Sequence, residues 1–205
     1  MEGVALAKRV AFIALMGALG NALAFLTLPV FPLAQHVYLD LSSLPVLVAA
    51  VFGGAYMGAA VGLIAGLTPS IWFGFIGGTL GLLGFSASVG KALHGFTVGL
   101  LVKRLKLLDK GTWTIIPAVI LGFVPEALWI MVVFQWLVFF FVPAPVAEFM
   151  STVLVWSILS KATFEVVLMA FFTSALSGHG GFKAIMESYL TPVRVLQTRQ
   201  ISGKS

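Results

Sequence analysis

Between Val10 and Gly90 the chain carries one charged side chain, Asp40. So long an apolar stretch offers water almost nothing, and a soluble globule has no place to bury it. Over 205 residues, 60% are hydrophobic and 9% are charged, against about 25% charged in soluble domains. Mean hydropathy is +1.10. Disorder is excluded too, because it needs low hydrophobicity and high charge. A transmembrane β-barrel would alternate apolar and polar residues in short segments, whereas these stretches are continuous. With no cysteine present, disulfide frameworks, thiolate zinc sites and thiol nucleophiles are out of reach. What remains is a polytopic, all-α membrane protein.

The net charge is +5, unevenly placed. Lys8 and Arg9 precede the first apolar run. Lys103, Arg104, Lys106 and Lys110 fill one connection, and Lys183, Arg194, Arg199 and Lys204 lie in the tail. Only Lys91 and Lys161 fall elsewhere, both in apolar surroundings. Basic connections stay on the cytoplasmic side of a membrane, so this charge reads as topology and not as nucleic-acid binding. The first span runs from about Val10 to Leu28, ahead of Pro29 and Pro32. A signal peptide competes for it, with Ala22-Leu23-Ala24 as a cleavage-like site, but the run is long for a signal. From Leu41 to about Leu67 the chain reads either as one tilted helix or, by preference, as two short helices, about 42–53 and 55–68, divided at Gly53-Gly54, with Thr68-Pro69 closing the second. Residues 70–88 read as an outer loop or re-entrant piece, partly helical, leading to a fourth span that ends at Lys103; merging the second and third spans and promoting 70–86 to a span satisfies the charge pattern equally. The fifth span, about 113–142, holds Pro117 and Pro125, which bend a helix and free a carbonyl. The sixth is about 146–176. The expectation is a compact bundle of six transmembrane helices over residues 1–182, with N- and C-termini cytoplasmic. A cytoplasmic C-terminal tail, 183–205, begins as a short interfacial helix.

Small residues mark the packing. Ala7, Ala11, Ala14, Ala18 and Ala22 fall on one face of the first helix. They suit either packing within the chain or a flat docking surface for another membrane protein. Gly54, Gly58, Gly62 and Gly66 recur every fourth residue, as do Gly95 and Gly99, and read as close internal helix packing. Ionisable residues inside a membrane are functional candidates by default. Glu126 and Lys161 share a depth in spans five and six, which makes an ion pair between them the expectation. Glu165 lies one turn beyond Lys161 on the same face. These groups read either as a buried tie between two spans or as the polar floor of a substrate cavity. Lys91 and His94 share a face of span four; the Lys91 cation either receives an anionic group or snorkels outward. Aromatic residues, among them Tyr38, Trp72, Phe73, Phe75 and Trp136, crowd the outer half, with Trp129 and Trp156 deeper. They belong to an interfacial belt or to a stacking platform for a flat ring. Gly84 to Lys91 has one spacer too many for a phosphate-binding P-loop. No His-Glu-x-x-His or Gly-x-Ser-x-Gly motif is present, and the three His residues are scattered. Neither a metal nor a cofactor is expected.

Several stretches together resemble a known family. They are Val37-Tyr-Leu-Asp-Leu-Ser-Ser-Leu-Pro-Val-Leu-Val-Ala49, Phe52-Gly-Gly-Ala-Tyr-Met-Gly58, Gly62-Leu-Ile-Ala-Gly66, Gly90-Lys-Ala-Leu-His-Gly95 and Gly99-Leu-Leu-Val-Lys-Arg104. Over roughly residues 8–176 the chain resembles the substrate-binding (S) components of energy-coupling factor (ECF) transporters, vitamin-uptake ABC importers. Gly54-Ala55 departs from the Gly-Pro of many members. The resemblance implies a bundle in the plasma membrane with a site near the outer face. It implies partners: a transmembrane coupling subunit (T component) and two cytosolic ABC ATPases. It implies that Ala14, Ala18 and Ala22 form the coupling-subunit contact. It also implies a vitamin-like small molecule as substrate. The candidate substrate-binding residues are then Tyr38, Asp40, Trp72, Lys91, His94, Glu126, Trp129, Lys161 and Glu165. Lys91 and Lys161 would suit an anionic group, and the tryptophans a ring. The family binds several vitamins on one fold, so the fold does not choose among them.

Two other readings stay open. One is a small intramembrane enzyme using Glu126, Lys161, Glu165 and His94 in acid–base roles, although no nucleophile motif supports it. The other is a structural membrane subunit whose buried charges only hold the bundle.

Overall fold

The computed structural model describes residues 2–29, 32–34, 37–38, 40–76 and 80–190. Nearly all of them are helical. Among the described residues, five segments are long and apolar enough to cross a membrane: Leu6–Thr27, Ala55–Ile76, Gly81–Arg104, Thr112–Phe141 and Ala144–Gly178. Large apolar side chains face outward along them, including Phe25, Leu128 and Phe140. An exterior of that kind suits lipid. The chain is therefore a multi-pass, all-α membrane protein, apart from a minimal antiparallel ladder of β1 (Pro32–Ala34) and β2 (Val37–Tyr38) in the first connection.

Helix α1 (Glu2–Thr27) turns Phe12, Gly17, Gly20 and Ala24 inward. Ala14, Ala18 and Ala22 point outward on its opposite side and touch none of the bundle's core. After the ladder comes α2 (Ser43–Gly53), apolar all round and buried from Pro45 to Val51. Its 11 residues reach only ~16 Å at 1.5 Å per residue, about half of the ~30 Å of hydrocarbon. The approach to α2 therefore begins inside the bundle, where Asp40 and Ser42 are buried.

Gly54 has φ +88°, a left-handed conformation that reverses the chain into α3 (Ala55–Ala65). The division at Gly53-Gly54 is as the sequence predicts. The end expected at Thr68-Pro69 does not occur. The helix kinks at Gly66 and continues through α4 (Leu67–Ile71) and a π-helical turn, Trp72–Ile76. Pro69 sits in the first turn after the kink, where its missing N–H is tolerated. The partly helical piece expected over 70–88 is helical on both sides of residues 77–79, which lie outside the described residues. Its glycines serve close approach, with Gly84 packed on the Ser70 carbonyl and on Gly74. A 3₁₀ turn, Gly81–Phe85, leads into α5 (Ser86–Arg104).

The seam between α3 and α5 brings backbone against backbone. A Cβ at Gly58 would stand 2.5 Å from the Gly95 carbonyl oxygen, and one at Gly62 would stand 2.5 Å from that of Lys91. Only bare backbone allows this approach.

A short helix α6 (Leu107–Lys110) precedes α7 (Ile115–Gly122), α8 (Val124–Val132), a π turn at Val133–Leu137 and α9 (Val138–Phe141). The return runs through α10 (Ala144–Phe149), another π turn at Met150–Leu154, and α11 (Val155–Gly178). Finally α12 (Gly180–Leu190) folds back on α1 and α11, with Phe182 edge-on to Phe52 and Met186 buried. The basic connections gather at one end of the bundle. The Lys103 side chain packs over Gly54, and Gly178 lies beside Thr112. Residues 191–205, the remainder of the expected tail, lie outside the described residues.

The seam makes a sharp prediction. Gly58→Val should destabilise the protein by about 3 kcal/mol or more through overpacking, whereas Tyr56→Ala, at an 85% exposed position, should change little. Thermal unfolding in detergent compares the two; equal midpoints would contradict the seam.

Candidate functional site

A cavity of about 400 Å³ lies in the half of the bundle away from the basic connections. That volume is in the range of small-molecule sites. Its walls are mostly apolar and aromatic: Phe73, Phe123, Trp129, Phe134 and Phe149 all line it. The three π turns each contribute, through Phe73, through Val133 and Phe134, and through Met150 and Leu154. A π turn inserts an extra residue into a helix and widens it locally. Three such turns around one volume are a local reason for the space between helices that otherwise pack closely.

The floor is charged. Asp40 and Ser43, at the start of α2, face Lys91 of α5 and Lys161 and Glu165 of α11. Lys91 Nζ lies 2.9 Å from Asp40 Oδ2 and donates to Ser43 Oγ at 2.9 Å. The Ser42 backbone N–H donates to Asp40 Oδ1 at 2.9 Å. The Asp40 backbone N–H in turn donates to Glu165 Oε1, while Lys161 Nζ lies 2.8 Å from Glu165 Oε2. One chain of charges and hydrogen bonds thus ties α5, the entrance to α2 and α11. Asp40, Lys91 and Glu165 are all buried. Burial alone would raise the Asp40 carboxyl, but the Lys91 and Lys161 ammonium groups and the Ser42 backbone N–H outweigh it and hold it below the usual carboxylate range.

A second arrangement grows from Pro125. The span breaks at Phe123, whose N–H turns to the Ile120 carbonyl three residues back, at 3.2 Å, and leaves Val119 O free. Val119 O then accepts from His94 Nε2 at 3.1 Å, and Thr97 Oγ1 donates to Gly122 O at 2.6 Å. A carbonyl only accepts, so Nε2 carries a proton. His94 Nδ1 lies 3.1 Å from Glu126 Oε2. That contact needs one further proton, held by the imidazolium or by the carboxyl; in either form the pair is neutral overall. Glu126 also occupies the first turn of α8, where a helix N-terminus favours a carboxylate.

The expected Glu126–Lys161 ion pair is not formed. Glu126 turns to His94 and Lys161 to its own-helix neighbour Glu165. Asp40, Lys91, Glu126, Trp129, Lys161 and Glu165 line one cavity, and Trp129 Nε1 is fixed by donating to Ser86 O at 2.9 Å. His94 stands behind Glu126, and Trp72 is not among the lining residues. Of Tyr38 only the backbone, in β2, is described. Ala14, Ala18 and Ala22 are remote from the cavity, on the outer face of α1. The sequence reading missed Ser43, Phe123, Phe134 and Phe149 as lining, and it missed the Asp40–Lys91 pair. The one charge between Val10 and Gly90, followed at once by Lys91, was the available signal.

Breaking a buried pair one-sidedly leaves an uncompensated charge. Lys91→Met should therefore destabilise the fold by about 3–5 kcal/mol, with the Asp40→Leu/Lys91→Met double variant recovering most of the loss. Denaturant midpoints in detergent for the two single variants and the double give the coupling; additive losses would count against the pairing.

No family model, characterised protein or solved structure matches the chain.

Proposed function

We propose that the chain is the substrate-binding component of an ECF-type importer, binding a vitamin-sized, water-soluble micronutrient in the plasma membrane. It works without chemistry of its own, beside a transmembrane coupling subunit and two cytosolic ABC ATPases. The observation that carries this reading is the cavity of about 400 Å³, with aromatic walls and a charged floor, set in the half of the bundle opposite the basic connections. Basic connections favour the cytoplasm, so this orientation turns the cavity toward the outside. On this reading α2, although it reaches only about half of the hydrocarbon, counts with the connection before it as a sixth pass, and both termini are cytoplasmic.

The outer face of α1 supports the partner. Ala14, Ala18 and Ala22 are exposed along one side of the helix, and small residues let a second membrane helix approach closely. The resemblance in sequence assigns the same three alanines to the coupling-subunit contact.

The complete pairing of Asp40, Lys91, Lys161 and Glu165 favours a second reading, in which these charges only hold the bundle. A Lys161→Met/Glu165→Leu variant would then retain both bound metabolite and partners.

Replacing Ala14 and Ala18 together by Leu should abolish co-purification with the coupling subunit and ATPases while leaving small-molecule retention unchanged. Affinity purification from host membranes, with mass spectrometry of both proteins and metabolites, reads both. Intact assembly in the variant would overturn the docking assignment.

A further inference from the structure

The charges around the cavity sum to zero. Asp40 balances Lys91, Glu165 balances Lys161, and His94 with Glu126 is neutral whichever of the two holds the shared proton. A ligand bringing an uncompensated charge into this buried volume would lose its hydration without gaining a free counter-ion. The lysines therefore do not act as an unpaired cationic trap.

The unspent hydrogen-bonding capacity is placed unevenly. Each oxygen of Asp40 and Glu165 already has a donor or an ammonium partner. Among the described residues, Glu126 Oε1 is the lining carboxylate oxygen without one. It faces Gly90, where an added Cβ would come within 3.3 Å of it. Lys91 Nζ uses two of its three N–H groups. Lys161 Nζ uses one, on Glu165 Oε2, and has two left for a ligand. An acceptor-seeking ammonium on α11 and a donor-seeking oxygen on α8 thus look into one space, beside the indole of Trp129.

We infer that the cavity takes a net-neutral aromatic nitrogen heterocycle, offering a hydrogen-bond acceptor to Lys161 and an N–H donor to Glu126. This narrows the substrate class and rests on the substrate-binding reading above. Compounds that enter as carboxylate or phosphate anions, or as organic cations, are disfavoured. Trp129 and the neighbouring phenylalanines supply the faces on which the ring stacks.

Native mass spectrometry tests this on the full-length chain and its Lys161→Met, Lys161→Arg and Glu126→Ala variants, each purified from its own host membranes. The expected result is retention of a neutral heterocycle by the wild type. Occupancy should fall at least about tenfold in Lys161→Met and Glu126→Ala, as for loss of a hydrogen bond to a charged group. Lys161→Arg, which keeps the donor and the charge, should stay within about threefold, and a Lys161→Met/Glu165→Leu double variant, which leaves no buried charge unpaired, should lose occupancy as Lys161→Met does; recovery of occupancy in the double variant overturns the ligand contact. A retained anion or cation overturns the inference and leaves the binding role standing. So does a neutral compound indifferent to both Lys161→Met and Glu126→Ala. A wild-type chain that retains no small molecule overturns the binding role itself, and this inference with it.

Discussion

A charge inside an apolar bundle must find its partner within the bundle, and Asp40 finds Lys91. That requirement organises the middle of the molecule. Isolating Asp40 would carry several kcal/mol of desolvation, so the connection that bears it is drawn inward until the ammonium group is met. Once there, its backbone N–H reaches Glu165 and its carboxylate accepts the Ser42 amide. The short helix α2 can then start at depth, with its first turn fixed. Three elements distant in sequence are held in one register by a handful of polar contacts, while the apolar surface around them does the bulk packing.

The walls follow a different logic. Where α3 meets α5, glycines bring backbone against backbone and leave no room. Around the cavity, π turns and a broken helix push the walls apart. The break at Phe123 also frees backbone carbonyls, and the side chains that satisfy them are specific: His94 takes Val119 and Thr97 takes Gly122. The break in one span thereby fixes a proton on Nε2 of a histidine in another. That histidine then fixes the carboxylate that faces the cavity.

Local patterns in the sequence carried real structural content. The four-residue glycine repeat marked the seam, the Gly53-Gly54 reversal was readable, and Lys161 to Glu165 paired as spacing along one helix demands. Non-local geometry was harder. Glu126 and Lys161 share a depth, but depth along a span does not fix the direction in which a side chain points, and each found another partner. The glycines between Ser70 and Ser88 left that stretch open between a loop and a partly helical re-entrant piece, because a bare backbone serves turns and close contacts alike. Pro69 looked like a helix end because its tolerance in a first turn depends on a kink at Gly66 that hydropathy does not mark. The lining phenylalanines could not be told from the many that face lipid, since both kinds sit in equally apolar surroundings.

The separation of the glycine seam from the π-turn walls bears on how such a molecule can change over generations. The seam tolerates almost nothing, because each added methyl meets backbone. The residues of the turns at 133–137 and 150–154 lie elsewhere, on the last two long spans, and can vary without disturbing it. The shape of the hollow can thus be altered in one region while the other stays fixed, so that the lining is open to revision without rebuilding the frame.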